Sequence, residues 1–125
     1  MDRNQYFYRN MIFSKQGKII SIIDIDNPKN IKEELDPWFA MVFQLGDGQH
    51  TIDQLCKFMA TQYNGMPPEN LEQTLISVVE RMAETRLIML TEKQTDLPYY
   101  LSMPYELLDV EKAKKELAKD RVDLN

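Results

Sequence analysis

The sequence predicts an α+β fold: a winged-helix-like core of three helices with an N-terminal antiparallel β-sheet, followed by a C-terminal arm and helix. Three features predict it. Aromatic and β-branched runs crowd the first 35 residues. Three segments between 37 and 85 carry apolar residues at helical spacing. A short apolar run at 87–90 follows them and reads as a strand.

Taken in order, residues 6–13 are aromatic and β-branched, with the polar Arg9 and Asn10 inside the run. Ser14, Lys15, Gln16 and Gly17 read as a turn, and 19–25 as a second strand, so the two runs are expected to form a hairpin. Asp26, Asn27 and Pro28 break the second run. Residues 30–35 make a weak third strand, with Ile31, Glu33 and Leu35 on one face and Lys32 and Glu34 on the other. A short helical turn competes for this segment, because Lys and Glu are poor strand formers.

The first helix is expected over 37–45. Asp36 caps it, and Pro37 takes the first helical position, where its missing N–H costs nothing. Trp38, Met41, Val42 and Leu45 form its stripe, widened by Phe39 and Phe43, and Gly46-Asp47-Gly48 stops it. The second helix runs over 51–63. Thr51 and Gln54 form a capping box, and Ile52, Leu55, Cys56, Met59 and Tyr63 fall on one face. The third opens near Pro67-Pro68 and continues to about Thr85, with Leu71, Leu75, Val78, Val79 and Met82 as its stripe. The strand at 87–90 is expected to pair with 97–101 across the polar 92–96 turn, and Pro98 confines that last run to an edge. Residues 97–105, with Tyr99, Tyr100 and Tyr105 between prolines, read as an extended arm. A final charged helix over 109–120 is capped by Asp109. Its stripe of Val110, Ala113 and Leu117 is too thin to hold a helix without a docking surface. The expected organisation is a domain over 1–92 and an arm with a helix over 93–125.

Composition limits the functions available. A length of 125 residues with 43% hydrophobic and 28% charged residues suits one globular core. A net charge of −5 works against broad nucleic-acid binding, which depends on Lys and Arg at phosphates. Residues 1–9 lack the apolar core of a signal peptide, no run is long enough to span a bilayer, and the single cysteine excludes an internal disulfide. A cytoplasmic location with no membrane partner is therefore expected.

No catalytic constellation stands out. One histidine and one cysteine cannot build an ordinary zinc site, so neither a metal nor a cofactor is expected. His50 reads as a solvated residue in a polar connection, and Cys56 as a small buried hydrophobe. Gly46-Asp47-Gly48 follows a helix, so it is a stop and no phosphate cradle. Non-catalytic binding is the expected role.

Two kinds of binding compete. A winged-helix order suggests a DNA-binding transcriptional regulator, with the third helix in the major groove. That helix carries Glu69, Glu72, Glu80 and Glu84 against Arg81 and Arg86, so it would meet phosphates with like charge. The other reading is strand addition. An open edge at 31–35 could accept a guest strand, with Lys32, Glu33 and Glu34 blunting it against self-pairing. The third helix could form a second wall through Leu71, Thr74, Leu75 and Val78, although any one of these taken singly fits a core position better.

The order of 35–48, read L-D-P-W-F-A-M-V-F-Q-L-G-D-G, then 51–63, then the helix ending at Leu87-Ile88, resembles the PqqD-like family, also called the RiPP recognition element. The likeness covers about 6–92 and rests on the apolar pattern with Leu35, Asp36, Leu45, Gly48, Thr51 and Ile52. It implies a peptide chaperone of natural-product biosynthesis. Such a module binds the leader of a ribosomally made precursor peptide as an added strand between the third strand and third helix. It presents the leader to a peptide-modifying enzyme, often a radical S-adenosylmethionine enzyme. Carried over, the peptide-binding residues are Ile31, Lys32, Glu33, Glu34, Leu35, Leu71, Thr74, Leu75 and Val78. The segment after Asp96 extends past the family core and could dock on the enzyme, form a homodimer, or pack on its own domain.

Overall fold

A computed structural model describes residues 1–64 and 66–123. The chain forms two units, each assembled from separated segments. One takes Met1–Asn10 with Met41–Asp96, and the other takes Met11–Ala40 with the chain from Leu97 onward.

The first unit is a three-stranded antiparallel sheet with two long helices. Strands β1 (Tyr6–Arg9), β5 (Asp47–Thr51) and β6 (Ile88–Thr91) pair in the order β5-β1-β6. Helices α2 (Ile52–Thr61) and α3 (Leu71–Glu84) follow β5 in the chain. Thr51 and Gln54 form the capping box that their spacing predicts: the Gln54 N–H donates to the Thr51 hydroxyl, and the Thr51 N–H donates to the Gln54 carboxamide. Phe7, Ile52, Met59, Leu75, Met82 and Ile88 are fully buried in this unit. α3 begins later than its prolines suggest. Pro67 and Pro68 stay outside it, and the Leu71 N–H donates back to the Pro68 carbonyl.

The second unit is a meander with the C-terminal helices. Strands β2 (Phe13–Gln16), β3 (Ile19–Asp24) and β4 (Asn27–Glu34) lie in that order, all antiparallel. Gly17 opens the two-residue β2–β3 turn at φ +62, a backbone angle that suits glycine. Helix α1 (Pro37–Leu45) starts in this unit and ends in the first. The Phe39 N–H donates to the Asp36 carboxylate, so the cap is the expected one. Beyond Asp96 come the single turn α4 (Tyr99–Ser102), a 3-10 turn (Tyr105–Leu107) and α5 (Val110–Asp123). Ala113 of α5 is buried in a cluster with Ile25 and Leu108, and Tyr99, Val110 and Leu117 pack around it. The thin stripe of α5 thus has its docking surface within its own unit.

Four expectations are corrected. Residues 6–13 do not pair as one strand with 19–25. The run splits at Asn10, whose N–H and side chain donate to the carbonyls of Leu87 and Arg86. Tyr6–Arg9 then joins one sheet and Phe13–Gln16 the other. Ser14, Lys15 and Gln16 are strand, and the turn shrinks to Gly17-Lys18. The polar connection around His50 is strand β5, held by backbone pairing with β1. The expected hairpin of 87–90 with 97–101 is not formed: β6 pairs with β1, while Tyr99–Ser102 coils. The architecture is α+β with two small antiparallel sheets.

Candidate functional site

Strand β4 is a sheet edge. β3 pairs with one side of it, and among the described residues no strand pairs with the other. The ladder to β3 is irregular. Ile22 faces Glu33 while the next residue, Ile23, faces Ile31, so Lys32 is an extra residue in a bulge. The backbone bonds fix which groups point outward. The Ile23 N–H donates to the Ile12 carbonyl, towards the β2 side. Ile31 therefore forms a non-hydrogen-bonded pair with Ile23 and turns its own N–H and C=O away from β3. At the other end, the Leu35 N–H donates to the Ile20 carbonyl, so Glu34 also points its backbone groups outward. Pro28 within β4 lacks an N–H, which an edge strand tolerates.

The side chains follow the same division. Ile31 is 56% exposed, unusual for an isoleucine in a sheet, and Lys32, Glu33 and Glu34 are exposed. Leu35 is 6% exposed and anchors the end of the strand in the interior.

The opposite edge of this sheet is closed by the chain itself. Glu106, in the 3-10 turn, accepts a hydrogen bond from the Ser14 hydroxyl and another from the Lys15 N–H at 2.9 Å. Desolvation alone would push the Glu106 carboxyl up. The hydrogen bonds from Ser14, from the Lys15 backbone and from its own backbone outweigh it and hold the carboxyl below the ordinary glutamate range. The segment after Asp96 thus meets β2 at Ser14 and Lys15, while among the described residues no strand lies on the outer side of β4.

The expected second wall divides differently. Leu71, Leu75 and Val78 are buried, Leu75 completely, and Thr74 is half-buried. They belong to the first unit, whereas Ile31, Lys32, Glu33, Glu34 and Leu35 belong to the second. The exposed face of α3 carries Glu72, Gln73, Ser77, Glu80, Arg81 and Glu84.

A second feature, in the first unit, was not visible in the sequence. A half-open pocket of about 250 Å³ is walled by Phe7, Leu45, Leu55 and Phe58, with Asp47 and His50 at its lining. His50 Nδ1 lies 3.0 Å from both Asp47 carboxylate oxygens, which sets the Nδ1–H tautomer towards Asp47. Periodicity does not reveal this pairing, since residues three apart on a regular strand face opposite ways and the contact depends on the irregular β1–β5 register and on Gly48 at φ +78. Periodicity likewise marks Arg9 only as a polar residue within an aromatic run. It is buried, and its guanidinium donates to the Gln44 and Gly46 carbonyls at the end of α1. Desolvation pulls its pKa down, against the opposing pull of the Asp47 charge.

No group of three His, Cys, Asp or Glu among the described residues is placed to hold a metal ion. No helix of the described residues is long and apolar enough to cross a membrane. No protein-family model, curated protein or solved structure matches this chain.

Proposed function

We propose that this protein is a non-catalytic peptide-binding module. It takes the leader segment of a ribosomally made precursor peptide as an added strand on β4 and presents it to a modifying enzyme of the radical S-adenosylmethionine class. The observation that carries this reading is the asymmetry of the β2-β3-β4 sheet: its own tail occupies one edge, and the other is vacant among the described residues. The sequence pattern shared with the PqqD-like family supplies the leader and the enzyme. In that reading α1, α2 and α3 are the three helices of the winged-helix-like core.

Magnitudes define what the guest must bring. Ile31 and Glu34 each offer one N–H and one C=O, and four such bonds give about 4 kcal/mol. Micromolar binding needs about 8 kcal/mol. Two apolar guest side chains buried at roughly 2 kcal/mol each close the difference, and Ile31 offers the apolar surface for one. Leu71, Leu75 and Val78 are interior, so the reading rests on β4. The acidic exposed face of α3 weighs against duplex DNA as the partner.

The test is Ile31→Pro. Its ring removes an N–H that points away from β3, so the β3–β4 ladder keeps its bonds. Titration calorimetry with a synthetic precursor-peptide leader should show binding to the parent and at least a tenfold loss in the variant. Circular dichroism should show the same fold in both. Equal affinity for parent and variant would remove β4 as the site.

A further inference from the structure

The pocket of the first unit has an apolar part and a polar part. Phe7, Leu45, Leu55 and Phe58 make the apolar part. Phe7 and Leu55 are buried, whereas Phe58 is 47% exposed and gains from being covered. The polar part offers one hydrogen-bond acceptor and one donor that no described residue uses. His50 commits its Nδ1–H to Asp47, which leaves Nε2 with a free lone pair. The Gln54 carboxamide oxygen accepts the Thr51 N–H, and its NH2 group has no partner among the described residues. Both side chains line the pocket. Asp47 is already engaged, by His50 and by the Gln49 N–H at 2.9 Å, and the buried Arg9 guanidinium offsets its charge.

We propose that this pocket binds a para-substituted phenol, whose hydroxyl donates to His50 Nε2 and accepts from the Gln54 NH2. Size comes first. Pockets for drug-sized ligands start at roughly 300 Å³. A half-open space of about 250 Å³ suits one ring with a short substituent. The ring packs against Phe7 and Phe58, since aromatic pairs gain beyond the area they bury.

The head group follows from the two polar partners. A hydroxyl is donor and acceptor at once, so it meets both. An ammonium has no acceptor for the Gln54 NH2. A carboxylate has no donor for Nε2 and would stand beside the Asp47 charge. A plain hydrocarbon covers both groups and pairs neither. The same ring occurs as a free small molecule and as the side chain of tyrosine in a peptide. The pocket belongs to the first unit and β4 to the second, so the proposal stands apart from the strand-addition reading.

In the test, 4-methylphenol is titrated into the isotope-labelled full chain, and the amide resonances from Asp47 to Leu55 are followed by NMR. Saturable shifts are expected, with a Kd of about 1 mM for so small a ligand. Toluene has nearly the same shape without the hydroxyl, and it should bind about tenfold more weakly. His50→Leu, at an exposed position, should cut that ratio to about threefold with an unchanged circular dichroism spectrum. Phe58→Ala, also exposed, should weaken both ligands alike. N-acetyltyrosinamide assigns the source. Affinity equal to that of 4-methylphenol identifies a peptide tyrosine, and affinity at least tenfold lower identifies a free phenol. Equal binding of 4-methylphenol and toluene, an unchanged ratio in His50→Leu, or no saturable shift between Asp47 and Leu55 would overturn the proposal. None of these results bears on β4.

Discussion

Glu106 closes the β2 edge by accepting two hydrogen bonds, one from the Ser14 hydroxyl and one from the Lys15 N–H. The pair Glu106–Lys15 is thus a side chain doing the work of a neighbouring strand at one point. It consumes an outward donor that an edge otherwise offers to any passing chain.

That contact gives the fold a defined pH response. The Glu106 carboxyl is held below its ordinary value, so its contribution to stability is complete above the glutamate range near 4.5. It is lost as pH falls through the lower folded value, when protonation removes an acceptor. Thermal melts should show stability falling as pH drops below about 4.5, and Glu106→Gln should flatten that fall. An unaltered acid profile in the variant would count against the assignment.

Tyr100 and Asp120 join α4 to α5. The phenol donates to the Asp120 carboxylate at 2.6 Å. Desolvation first, and then this bond and the adjacent negative charge, push the Tyr100 pKa well above the usual 10. Its neutral form therefore stabilises the docked tail at all pH values below the unfolded pKa, and that contribution disappears only as pH rises through the raised folded value. Tyr100→Phe should cost about 1 kcal/mol by urea denaturation. Asp120→Asn should bring the Tyr100 ring titration, followed by NMR, back towards the ordinary range.

Gly48 admits no side chain. Its φ is +78, and a Cβ would collide with the Thr95 carbonyl, while the Gly48 carbonyl accepts the Thr95 N–H at 3.0 Å. Gly48→Ala combines left-handed strain with that backbone clash. A loss of about 2–4 kcal/mol is expected in chemical denaturation.

Arg9 should behave as a buried structural cation. Arg9→Met keeps the volume and the backbone N–H that donates to the Gly46 carbonyl, but removes the guanidinium donors to the Gln44 and Gly46 carbonyls at the end of α1. An expected loss of about 2–3 kcal/mol would be read from urea midpoints. Addition of salt should not reproduce it, because buried charge is little screened.

What could be read in the sequence was whatever local chemistry decides. The Asp36 cap with Pro37 defined α1, and Thr51 with Gln54 defined the start of α2, because capping uses neighbours within one turn. Ile31 to Glu34 were legible as a charged edge, and β4 is a longer strand than expected, since it continues through Pro28. Strand partners were not legible. Tyr6–Arg9 and Phe13–Gln16 look like one run, yet Asn10 diverts them through carbonyls more than 70 positions away in the chain. β5 has no apolar alternation at all, since Asp47, Gln49 and His50 are polar and its pairing is carried by backbone. Periodicity also could not say whether the α3 stripe lines a groove or fills an interior; burial places Leu71, Leu75 and Val78 inside.

The one-sidedness of the β2-β3-β4 sheet limits what assemblies it can make. A ribbon with two vacant borders can elongate without end, copy upon copy. This ribbon has its Lys15 donor taken on the β2 border, so among the described residues the β4 border is the vacant one, and copies meeting there do so border to border about a twofold axis. Association through the β4 border alone closes at a pair.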